Sequence, residues 1–379
     1  MIRKKSGSHF DLAMAIGVLQ QNEDMAVKNI SEYGFIGELS LDGRLRACHG
    51  ILPMIIAAQR NGIKKVIIPV ENLKEAKLVQ GVTIIGLQNL SEVVRFLEGK
   101  NVDVNRMSDK MEQEDWEKVV DFADVKGQKE LIDAVILAAA GGHNMLMIGE
   151  PGCGKTMIAQ RIPTILPEMT EAECLEVTKI YSISGILPNG HGLIRHRPFR
   201  APHHNASLNA LIGGGANALP GEVSLAHNGV LFLDELAEFP RRTLDALRQP
   251  IEDKQVCISR VNGTHTFPSN FMFITAMNPC PCGYFPGSKC RCTDYEIIKY
   301  RGKISGPIMD RIDIQKEVKP VNYFELEQEQ ESYTMTSREI REKSKKSERN
   351  SANQISKRAR NKLAMYKCLT AIAAKNIVS

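Results

Sequence analysis

The feature that most constrains the fold is a glycine-rich stretch at residues 144–156, which reads NMLMIGEPGCGKT. An apolar run leads into the pattern G-x-x-x-x-G-K-T, and the helical sequence MIAQRI follows it. In this strand–loop–helix context a P-loop wraps phosphates with backbone N–H groups, because glycine leaves the backbone accessible. The pattern predicts a nucleotide-binding loop formed by Gly149, Glu150, Pro151, Gly152, Cys153, Gly154, Lys155 and Thr156.

Four side chains have predicted roles in binding and hydrolysing ATP. The Lys155 ammonium is expected to reach the β- and γ-phosphates, and the Thr156 hydroxyl to ligate Mg²⁺. The segment GVLFLDEL predicts a buried strand that ends in Asp234 and Glu235. Adjacent carboxylates at such a strand end are costly unless they serve a cation or water. We expect Asp234 to hold Mg²⁺ and Glu235 to orient the attacking water.

Two further polar residues follow later apolar segments. The predicted strand FMFITAMN ends in Asn278, whose amide is suited to hold the lytic water or sense the γ-phosphate. Arg311 follows a Gly-Pro break in SGPIMDRID and is a candidate arginine finger for a neighbouring subunit. On spacing alone, a surface salt bridge is the alternative for Arg311. The predicted catalytic set is Lys155, Glu235, Asn278 and Arg311.

Four of the nine cysteines stand close together in MNPCPCGYFPGSKCRC, residues 277–292. Their spacing, C-x-C-x₇-C-x-C, can close a tetrahedral S₄ site suited to structural Zn²⁺, and turn-forming residues separate the two pairs. Four reduced thiols that pack or lie exposed are the alternative. A bound metal would fix the direction of this loop towards the next subunit. The predicted ligands are Cys280, Cys282, Cys290 and Cys292.

Composition limits the class of protein. The 379 residues are 43% hydrophobic and 25% charged, which is globular composition with room for two or three domains. A formal net charge of +5 permits an anionic partner without requiring one. The sequence shows neither a signal peptide nor an apolar stretch long enough to span a bilayer. We therefore expect a cytoplasmic protein that makes no membrane contact.

Changes in pattern along the chain predict four regions. Residues 1–100 have the pattern of a small α/β unit, and residues 101–120 that of a polar linker. Residues 121–320 alternate helical patterns with short apolar strands, which indicates a wound α/β domain. The charged segments that follow predict a helical C-terminal region at 321–379.

Two segments rich in basic residues interrupt the predicted ATPase core. HGLIRHRPFRAPHHNAS, 191–207, is dense in arginine and histidine, and QVCISRVNGTHTF, 255–267, predicts a β-hairpin around Asn262–Gly263. Contacts with nucleic-acid phosphates and bracing of subunit contacts are both open for these residues. The candidates for phosphate contacts are Arg195, Arg197, Arg200, Arg260 and His265. His203 and His204 lack partner ligands at suitable spacing, so we interpret them as structural.

Together these motifs resemble those of the magnesium-chelatase-like AAA+ ATPases of the ComM/YifB type, over about residues 8–340. The resemblance rests on GEPGCGKT, RPFRAPHH, GEVSLAHNGVLFLDELAEF, ISRVNGTHTFPSNFMFITAMNPCPCGY and SGPIMDRID. It implies a P-loop AAA+ core of the α/β class, ATP and Mg²⁺ as cofactors, and a homo-hexameric ring. For ComM-like members it implies a DNA helicase that drives branch migration in natural transformation, with branched or single-stranded DNA as partner.

Carried over position by position, the resemblance also assigns named roles. Lys155 and Thr156 match the Walker A residues, and the adjacent Asp234 and Glu235 match the Walker B pair. Asn278 then matches sensor 1. Arg311 matches the arginine finger, and Arg358 is a weak match to the sensor 2 arginine of a C-terminal lid that looks incomplete.

The N-terminal region resembles part of the proteolytic domain of Lon proteases, a ribosomal S5 domain 2-like α/β fold. GELSLDGRLRACHGILPMIIAAQRNGIKKVIIPVEN carries this resemblance, although the first strands of such a domain look absent. Where a Lon-type enzyme carries its catalytic lysine, this chain reads HGILPM at 49–54, and Ser8 does not match the nucleophile position. Without a Ser–Lys pair there is no activated nucleophile, so no peptidase activity is expected.

Three classes of function stay open on the sequence. The first is a DNA-translocating ring ATPase, and the second is a metal-insertion motor like the small subunit of magnesium chelatase. The third is a degenerate scaffold that does not hydrolyse ATP. The Lon-like region and the cysteine loop favour the first class over the second, while the abnormal ends favour the third.

Overall fold

The computed structural model describes residues 8–23, 25, 29–105, 120–187, 192–215, 218–260, 263–320 and 335–343. Most of the predicted linker, most of the predicted C-terminal region and Arg358 lie outside these described residues. The chain divides into two compact units. The first comprises Met1–Lys118, Met169–His196 and Gly214–Pro220, and the second comprises Val119–Glu168, Arg197–Gly213 and Gly221–Ser379.

Helices and strands alternate along most of the chain. Those before residue 100 are α1 (Asp11–Gln21), β1 (Tyr33–Phe35), β2 (Glu38–Leu39), β3 (Leu45–Arg46), α2 (Ile51–Arg60), β4 (Lys65–Pro69), α3 (Leu73–Ala76), β5 (Thr83–Leu87) and α4 (Leu90–Leu97). Those after residue 120 are α5 (Lys129–Gly141), β6 (Met145–Gly149), α6 (Lys155–Ile165), α7 (Glu171–Ser184), β7 (Phe199–Arg200), α8 (Leu208–Ile212), β8 (Gly213–Gly214), β9 (Leu219–Pro220), α9 (Glu222–Leu225), β10 (Val230–Leu233), α10 (Arg241–Ala246), α11 (Arg248–Asp253), β11 (Gln255–Arg260), β12 (Gly263–Pro268), β13 (Met272–Met277), α12 (Asp294–Arg301), α13 (Gly306–Met309) and β14 (Ile314–Val318).

The first unit contains a parallel three-stranded sheet in the order β1-β4-β5. The strands β4 and β5 and the helix α2 occur where the sequence predicts them, and α2 stops just before Gly62, which adopts φ +83°. The predicted run GFIGELSL is divided into β1 and β2, which belong to different sheets. The helix α7 also belongs to this unit, where Leu175 packs against the cluster around Ile55. The range predicted for the N-terminal region, 1–100, does not include that helix.

The second unit contains a five-stranded sheet in the order β14-β6-β13-β10-β7, and every neighbouring pair is parallel. The strands β10 and β13 are buried along their whole length, as expected for a parallel sheet covered on both faces. Because the strands are parallel, their carboxyl ends lie along one edge of the sheet. The residues that directly follow β6, β13, β10 and β7 therefore meet at this edge.

One face of this sheet packs on α5 and α6 through a continuous apolar core. Phe232 on β10 is 1% exposed and stacks on Phe199, with 6.0 Å between the ring centroids. Ile340, from the short described part of the C-terminal region, is buried in the same core. The Ser337 hydroxyl accepts a hydrogen bond from the Phe122 N–H at 2.9 Å. Residues 335–343 are therefore packed on the core of the second unit.

Two predictions concern elements outside these cores. The predicted hairpin is confirmed, because β11 and β12 pair antiparallel from Gln255↔Pro268 to Arg260↔Gly263. Within the part of the chain that the structure describes, no helix has both the length and the apolar character needed to cross a bilayer.

Candidate nucleotide site

The P-loop lies at the carboxyl end of β6, and glycines set its path. Gly152 and Gly154 adopt φ +80° and +85°, a left-handed conformation that is strained for residues with a Cβ. A Cβ on Gly149 would lie 2.4 Å from the Val318 carbonyl oxygen on β14, so this position needs glycine for a close approach of two strands. The loop thus leads directly from a central strand into the N-terminus of α6, whose first N–H groups have no partner within the helix.

Lys155 is the first residue of α6, and its side chain is buried. Its Nζ donates hydrogen bonds to the carbonyl oxygens of Gly149 at 2.7 Å and Glu150 at 2.9 Å. The loop therefore places a cation next to the free N–H groups of a helix start. Both features attract the phosphates of a nucleotide.

Thr156 and Asp234 are 78 residues apart in the chain and meet at this edge of the sheet. The Thr156 hydroxyl donates to Asp234 Oδ2 at 2.6 Å, and the Glu235 N–H donates to Asp234 Oδ1 at 2.9 Å. A hydroxyl and a carboxylate are the hard oxygen donors that Mg²⁺ prefers beside phosphate. The two predicted metal residues are thus brought together with chemistry that fits Mg²⁺.

Glu235 follows directly, and its backbone has φ 51° and ψ 47°, which is uncommon for a residue with a side chain. Its Oε2 lies 3.0 Å from Nδ1 of His204. The His204 ring lies 4.0 Å from the His203 ring and packs edge-on against Phe239 at 6.4 Å, centroid to centroid. The carboxylate predicted to orient water therefore has an imidazole partner held by aromatic neighbours.

The sequence-based predictions do not include this role of His204, since they consider the histidines only as metal ligands. The signal lies in the strand register. Arg200 of β7 pairs with Leu231 of β10. Continuing both chains by four residues brings His204 level with Glu235. A parallel partner strand therefore predicts the contact once β7 is recognised as a strand.

Asn278 occupies the position between the P-loop and the acidic pair. It follows β13, which lies between β6 and β10, and the pairing of Met277 with Ile148 puts Asn278 level with Gly149. Burial raises the pKa of the nearby Tyr300 to about 12, while a hydrogen bond with the Asn278 backbone opposes that rise. The predicted sensor thus lies on the strand between the two halves of the site.

Arg311 lies at the opposite edge of the sheet. Its carbonyl oxygen accepts a hydrogen bond of 2.8 Å from Asn144, which precedes β6, whereas the P-loop follows β6. The five residues of β6 extend about 17 Å at the rise of an ordinary strand. The guanidinium forms an ion pair with Glu252. The structure therefore does not bring Arg311 to the P-loop of its own chain.

The four predicted thiol ligands come together in one cluster. All four sulfur atoms lie within 4.8 Å of one another, and Cys280 is fully buried. Backbone N–H groups of Arg291 and then Tyr284 lower the pKa of the Cys282 thiol to about 6, whereas burial and the neighbouring thiols raise the pKa values of Cys290 and Cys292. Four thiols whose sulfur atoms lie this close together form a ligand set that fits a soft or borderline cation.

Two of the predicted phosphate contacts have partners inside the chain. Arg200 donates two hydrogen bonds to the carboxylate of Glu222, at 2.6 and 2.7 Å. Arg197 donates to the carbonyl oxygens of Pro167 at 2.5 Å and Asn228 at 2.6 Å. Both guanidinium groups are therefore bonded within the second unit of their own chain, so these bonds are neither phosphate contacts nor contacts between subunits. The other three candidates, Arg195, Arg260 and His265, are exposed.

The N-terminal unit contains a cysteine beside a histidine, a pair that can form a nucleophile in other proteins. Cys48 lies with His9 and Glu38 in a group whose ligand atoms are all within 4.8 Å of one another. Burial raises the pKa of the Cys48 thiol to about 11, so the thiol is protonated near neutral pH. A protonated thiol is a poor nucleophile, despite the histidine nearby. In the adjacent segment HGILPM, Leu52 is fully buried on α2.

Comparison with known proteins agrees with this geometry. Residues 121–326 match the family described as "Magnesium chelatase, subunit ChlI", and residues 2–72 match "Subunit ChlI of Mg-chelatase". The chain is 42% identical over 317 residues to competence protein ComM of Haemophilus influenzae, covering 83% of this chain and 62% of ComM. It is 42% identical over 318 residues to the uncharacterized protein YifB of Escherichia coli, covering 83% of this chain and 61% of YifB.

A shorter similarity connects the chain to Lon protease 2 of Bacillus subtilis, with 35% identity over 89 residues, which is 23% of this chain and 16% of that protease. The chain spans about three fifths of the length of ComM and YifB, as the 62% and 61% coverage shows. These matches confirm the resemblance drawn from the motifs, and with the parallel sheet they confirm an α/β AAA+ fold. The chain belongs to the magnesium chelatase subunit ChlI family, in the ComM/YifB-like group of AAA+ ATPases.

Proposed function

We propose that this protein binds ATP with Mg²⁺, hydrolyses it, and uses the energy to move along DNA as a homo-hexameric ring. The observation that carries the ATPase part is the grouping of Lys155, Thr156, Asp234 and Glu235 at one edge of the sheet. This edge supplies a phosphate cradle, two oxygen ligands for Mg²⁺ and a carboxylate for the water. Phosphoryl transfer needs this positioning and charge neutralisation more than covalent chemistry.

The chain's own residues divide the work at the site. Lys155 and the start of α6 bind the phosphates, while Thr156 and Asp234 hold the metal. Mg²⁺ bound there would neutralise charge that develops on the phosphate oxygens. Glu235, oriented by His204, would align the attacking water and accept its proton. Asn278 would hold the same water from the strand between.

The ring is proposed because the predicted finger, Arg311, lies away from the P-loop of its own chain. Arg311 lies beyond the far end of β6, so only a neighbouring copy of the chain can bring it to the phosphates. Repeating such a head-to-tail contact generates a closed ring or an open helix. A homo-hexamer is the ring that the family resemblance implies. In it, each site would take its finger from the next subunit.

A mixing experiment tests the shared site. Lys155→Ala removes the phosphate cation and Arg311→Ala removes the finger, so each variant alone is expected to be inactive. In a mixed ring, some interfaces pair an intact P-loop with an intact Arg311, and ATPase activity should return. Glu252→Ala removes only the partner of Arg311 within the chain and is the matched control, which should keep activity. Mixed rings without recovered activity would contradict a finger supplied in trans.

DNA is proposed as the substrate on the basis of the hairpin formed by β11 and β12. Val256, Ile258 and Phe267 are buried, while Arg260 and His265 are exposed near its tip. The sequence of the two strands, residues 255–268, contains no acidic residue. A hairpin with buried apolar residues on one face and exposed basic residues near its end suits contacts with a phosphate backbone. The relative ComM is named a competence protein, which agrees with this substrate.

Stimulation of ATP hydrolysis by DNA tests this proposal. Single-stranded or branched DNA should raise the ATPase rate of assembled rings, and binding should weaken steeply with salt. Arg260→Ala should weaken binding and reduce the salt slope by about one if it contacts one phosphate. Arg60→Ala changes an exposed arginine of the other unit and should change neither. Rings that hydrolyse ATP at an unchanged rate with DNA at low salt would refute a DNA motor.

A metal-insertion motor is the second candidate function, since the description of the matching family names a subunit of magnesium chelatase. It predicts ATPase activity that DNA leaves unchanged. The non-hydrolysing scaffold predicts no turnover at all. We also propose that the N-terminal unit is not a peptidase, because its segment HGILPM has no lysine and Cys48 is protonated near neutral pH. Release of peptides from an unfolded protein substrate would contradict this.

A further inference from the structure

The cysteine cluster has the dimensions of a closed metal site. The Sγ atoms of Cys280 and Cys282 are 3.3 Å apart, and Cys290 Sγ lies 3.8 Å from the first and 3.7 Å from the second. Tetrahedral Zn²⁺ with bonds of about 2.3 Å places its sulfur ligands about 3.8 Å apart. The cluster therefore needs only small adjustments to surround one ion, with Cys292 as fourth ligand.

The backbone around the cluster is also arranged for thiolates. The N–H groups of Arg291 and Tyr284 point to Cys282 Sγ, where they can stabilise negative charge. The loop that joins the two cysteine pairs turns back on itself, with Gly283 N–H bonded to Cys280 O and Cys290 N–H to Gly287 O. Four thiolates carry more charge than one Zn²⁺ neutralises, so such N–H donors favour the loaded site.

The connecting loop, residues 283–289, lies directly against the P-loop of the same chain. A Cβ on Gly283 would be 2.8 Å from Pro151 Cδ and 2.9 Å from Pro151 Cγ. At Gly287 a Cβ would be 3.7 Å from Glu150 Oε1. Both loops also line one cavity of about 720 Å³, to which Gly149 and Glu150 contribute from one side and residues 285–287 from the other.

The helix α12 also contacts this segment. Arg301 Nε donates to the Pro279 carbonyl oxygen at 3.2 Å, and its guanidinium lies over the Phe285 ring at 5.5 Å from the centroid. The loop therefore contacts both a helix and the P-loop. If the loop loses its order, the P-loop residues that bind phosphate lose their packing contacts with it.

We propose that Cys280, Cys282, Cys290 and Cys292 bind one structural Zn²⁺, and that the loaded loop supports the P-loop of its own subunit. This deepens the proposed function and rests on it, because the quantity that zinc controls is nucleotide affinity. The seven residues between the inner cysteines gain conformational freedom when the metal is removed. The contact of Gly283 with Pro151 is then lost, and the P-loop is no longer held in its binding conformation. Part of the free energy of nucleotide binding must then be used to order the P-loop.

The first experiment compares zinc-loaded and zinc-stripped full-length chain. Zinc is removed with a chelator, the chelator is removed by gel filtration, and Mg²⁺ is restored before titration with a fluorescent ATP analogue. Elemental analysis should find about one equivalent of zinc before stripping, since closed thiolate sites bind it tightly near neutral pH. Stripping should weaken nucleotide binding at least about tenfold while the circular dichroism spectrum of the helices is kept. Added zinc should restore the affinity.

Two variants separate metal binding from the contact that it supports. Cys292→Ser should lose zinc and weaken nucleotide binding as stripping does, while Cys257→Ser changes an exposed thiol outside the cluster and should do neither. Gly283→Ala keeps all four thiols but places a Cβ against Pro151, so it should retain zinc and still weaken binding. Gly99→Ala is its control, because it has a similar φ of +77° with no atom within 4 Å.

A readout without nucleotide makes failure of this inference distinguishable from failure of the proposed function. Hydrogen exchange at residues 149–155 should become faster on stripping, whether or not the chain binds ATP. Less than about a tenth of an equivalent of zinc in folded protein overturns the site. Zinc present with unchanged exchange after stripping overturns the support of the P-loop. Zinc-loaded protein that binds nucleotide no better than Lys155→Ala overturns the proposed function instead.

Discussion

Replacing Gly149 with alanine is expected to destabilise the second unit, because it forces β14 away from the P-loop strand. The added Cβ would lie 2.4 Å from the Val318 carbonyl oxygen, 2.9 Å from Cys153 Sγ and 3.0 Å from Val318 Cβ. Real Cβ atoms almost never approach closer than 3.0 Å, so the backbone of β14 must move by at least 0.6 Å. Two of the three obstructing atoms belong to a paired strand and cannot rotate away.

The size of the effect follows from these contacts. Adding a methyl group to a closely packed site typically costs about 1–3 kcal/mol. Weakening one hydrogen bond of the β6–β14 ladder adds about 1 kcal/mol. Together they predict a loss of about 2–4 kcal/mol. With a urea m-value of about 2 kcal/mol/M, the unfolding midpoint of this unit should fall by about 1–2 M.

The assay is urea unfolding followed by circular dichroism in the absence of nucleotide. Gly306→Ala is the matched control in the same unit, because a Cβ there meets no atom within 4 Å and its φ is ordinary. Its midpoint should stay within about 0.25 M of the parent, as expected for a substitution that makes no new contact. A Gly149→Ala midpoint equally close to the parent would refute the close packing of β14 on the P-loop strand.

Three further predictions follow from individual contacts. His204→Ala should lower kcat for ATP hydrolysis about tenfold and leave the ATP Kd nearly unchanged, because the Glu235 carboxylate loses the partner that orients it. Unchanged turnover in steady-state assays would contradict the contact. Arg200→Ala should cost about 2 kcal/mol, and a double-mutant cycle with Glu222→Gln in urea should show coupling of at least about 1 kcal/mol; additive effects would argue against the pair. Because burial raises the pKa of Cys48 to about 11, iodoacetamide at pH 8 should modify it at least about 100-fold more slowly than the exposed Cys257. Equal labelling of both thiols, measured by mass spectrometry, would contradict its burial.

The sequence predicts the P-loop and the acidic pair because their signals are local. A buried strand, a loop and a helix follow one another within thirteen residues at 144–156, and VLFL runs directly into Asp234 and Glu235. Parallel strands then bring these ends together without further information. The same reasoning places Asn278, since β13 is a continuous apolar run of six residues.

The sequence does not predict contacts that depend on short strands or on packing between loops. The strand β7 has two residues, which are too few for a periodic pattern. The sequence therefore does not predict that His204 lies opposite Glu235. The bracing roles of Arg197 and Arg200 depend on carbonyl and carboxylate groups that lie 22 to 31 residues away. Local charge density alone therefore suggested phosphate contacts for them.

The helix α7 shows the same limit at the level of domains. It has a capping box at Thr170 but little hydrophobic periodicity, so nothing in its pattern says which core it joins. Its packing on the first unit is decided by long-range complementarity. No sequence spacing predicts the contact of Gly283 with Pro151 either, because the two residues are brought together only when β6 and β13 pair.

Nucleotide binding and turnover in the parent, Lys155→Ala and Glu235→Gln proteins test the central claim most directly. We expect the parent to bind ATP with Mg²⁺, and Lys155→Ala to bind at least about tenfold more weakly, because it loses a charge-assisted contact with phosphate. Glu235→Gln should bind ATP about as tightly as the parent and hydrolyse it at least about 100-fold more slowly, since the general base is lost. Equal affinity of the parent and Lys155→Ala for ATP would contradict the nucleotide site.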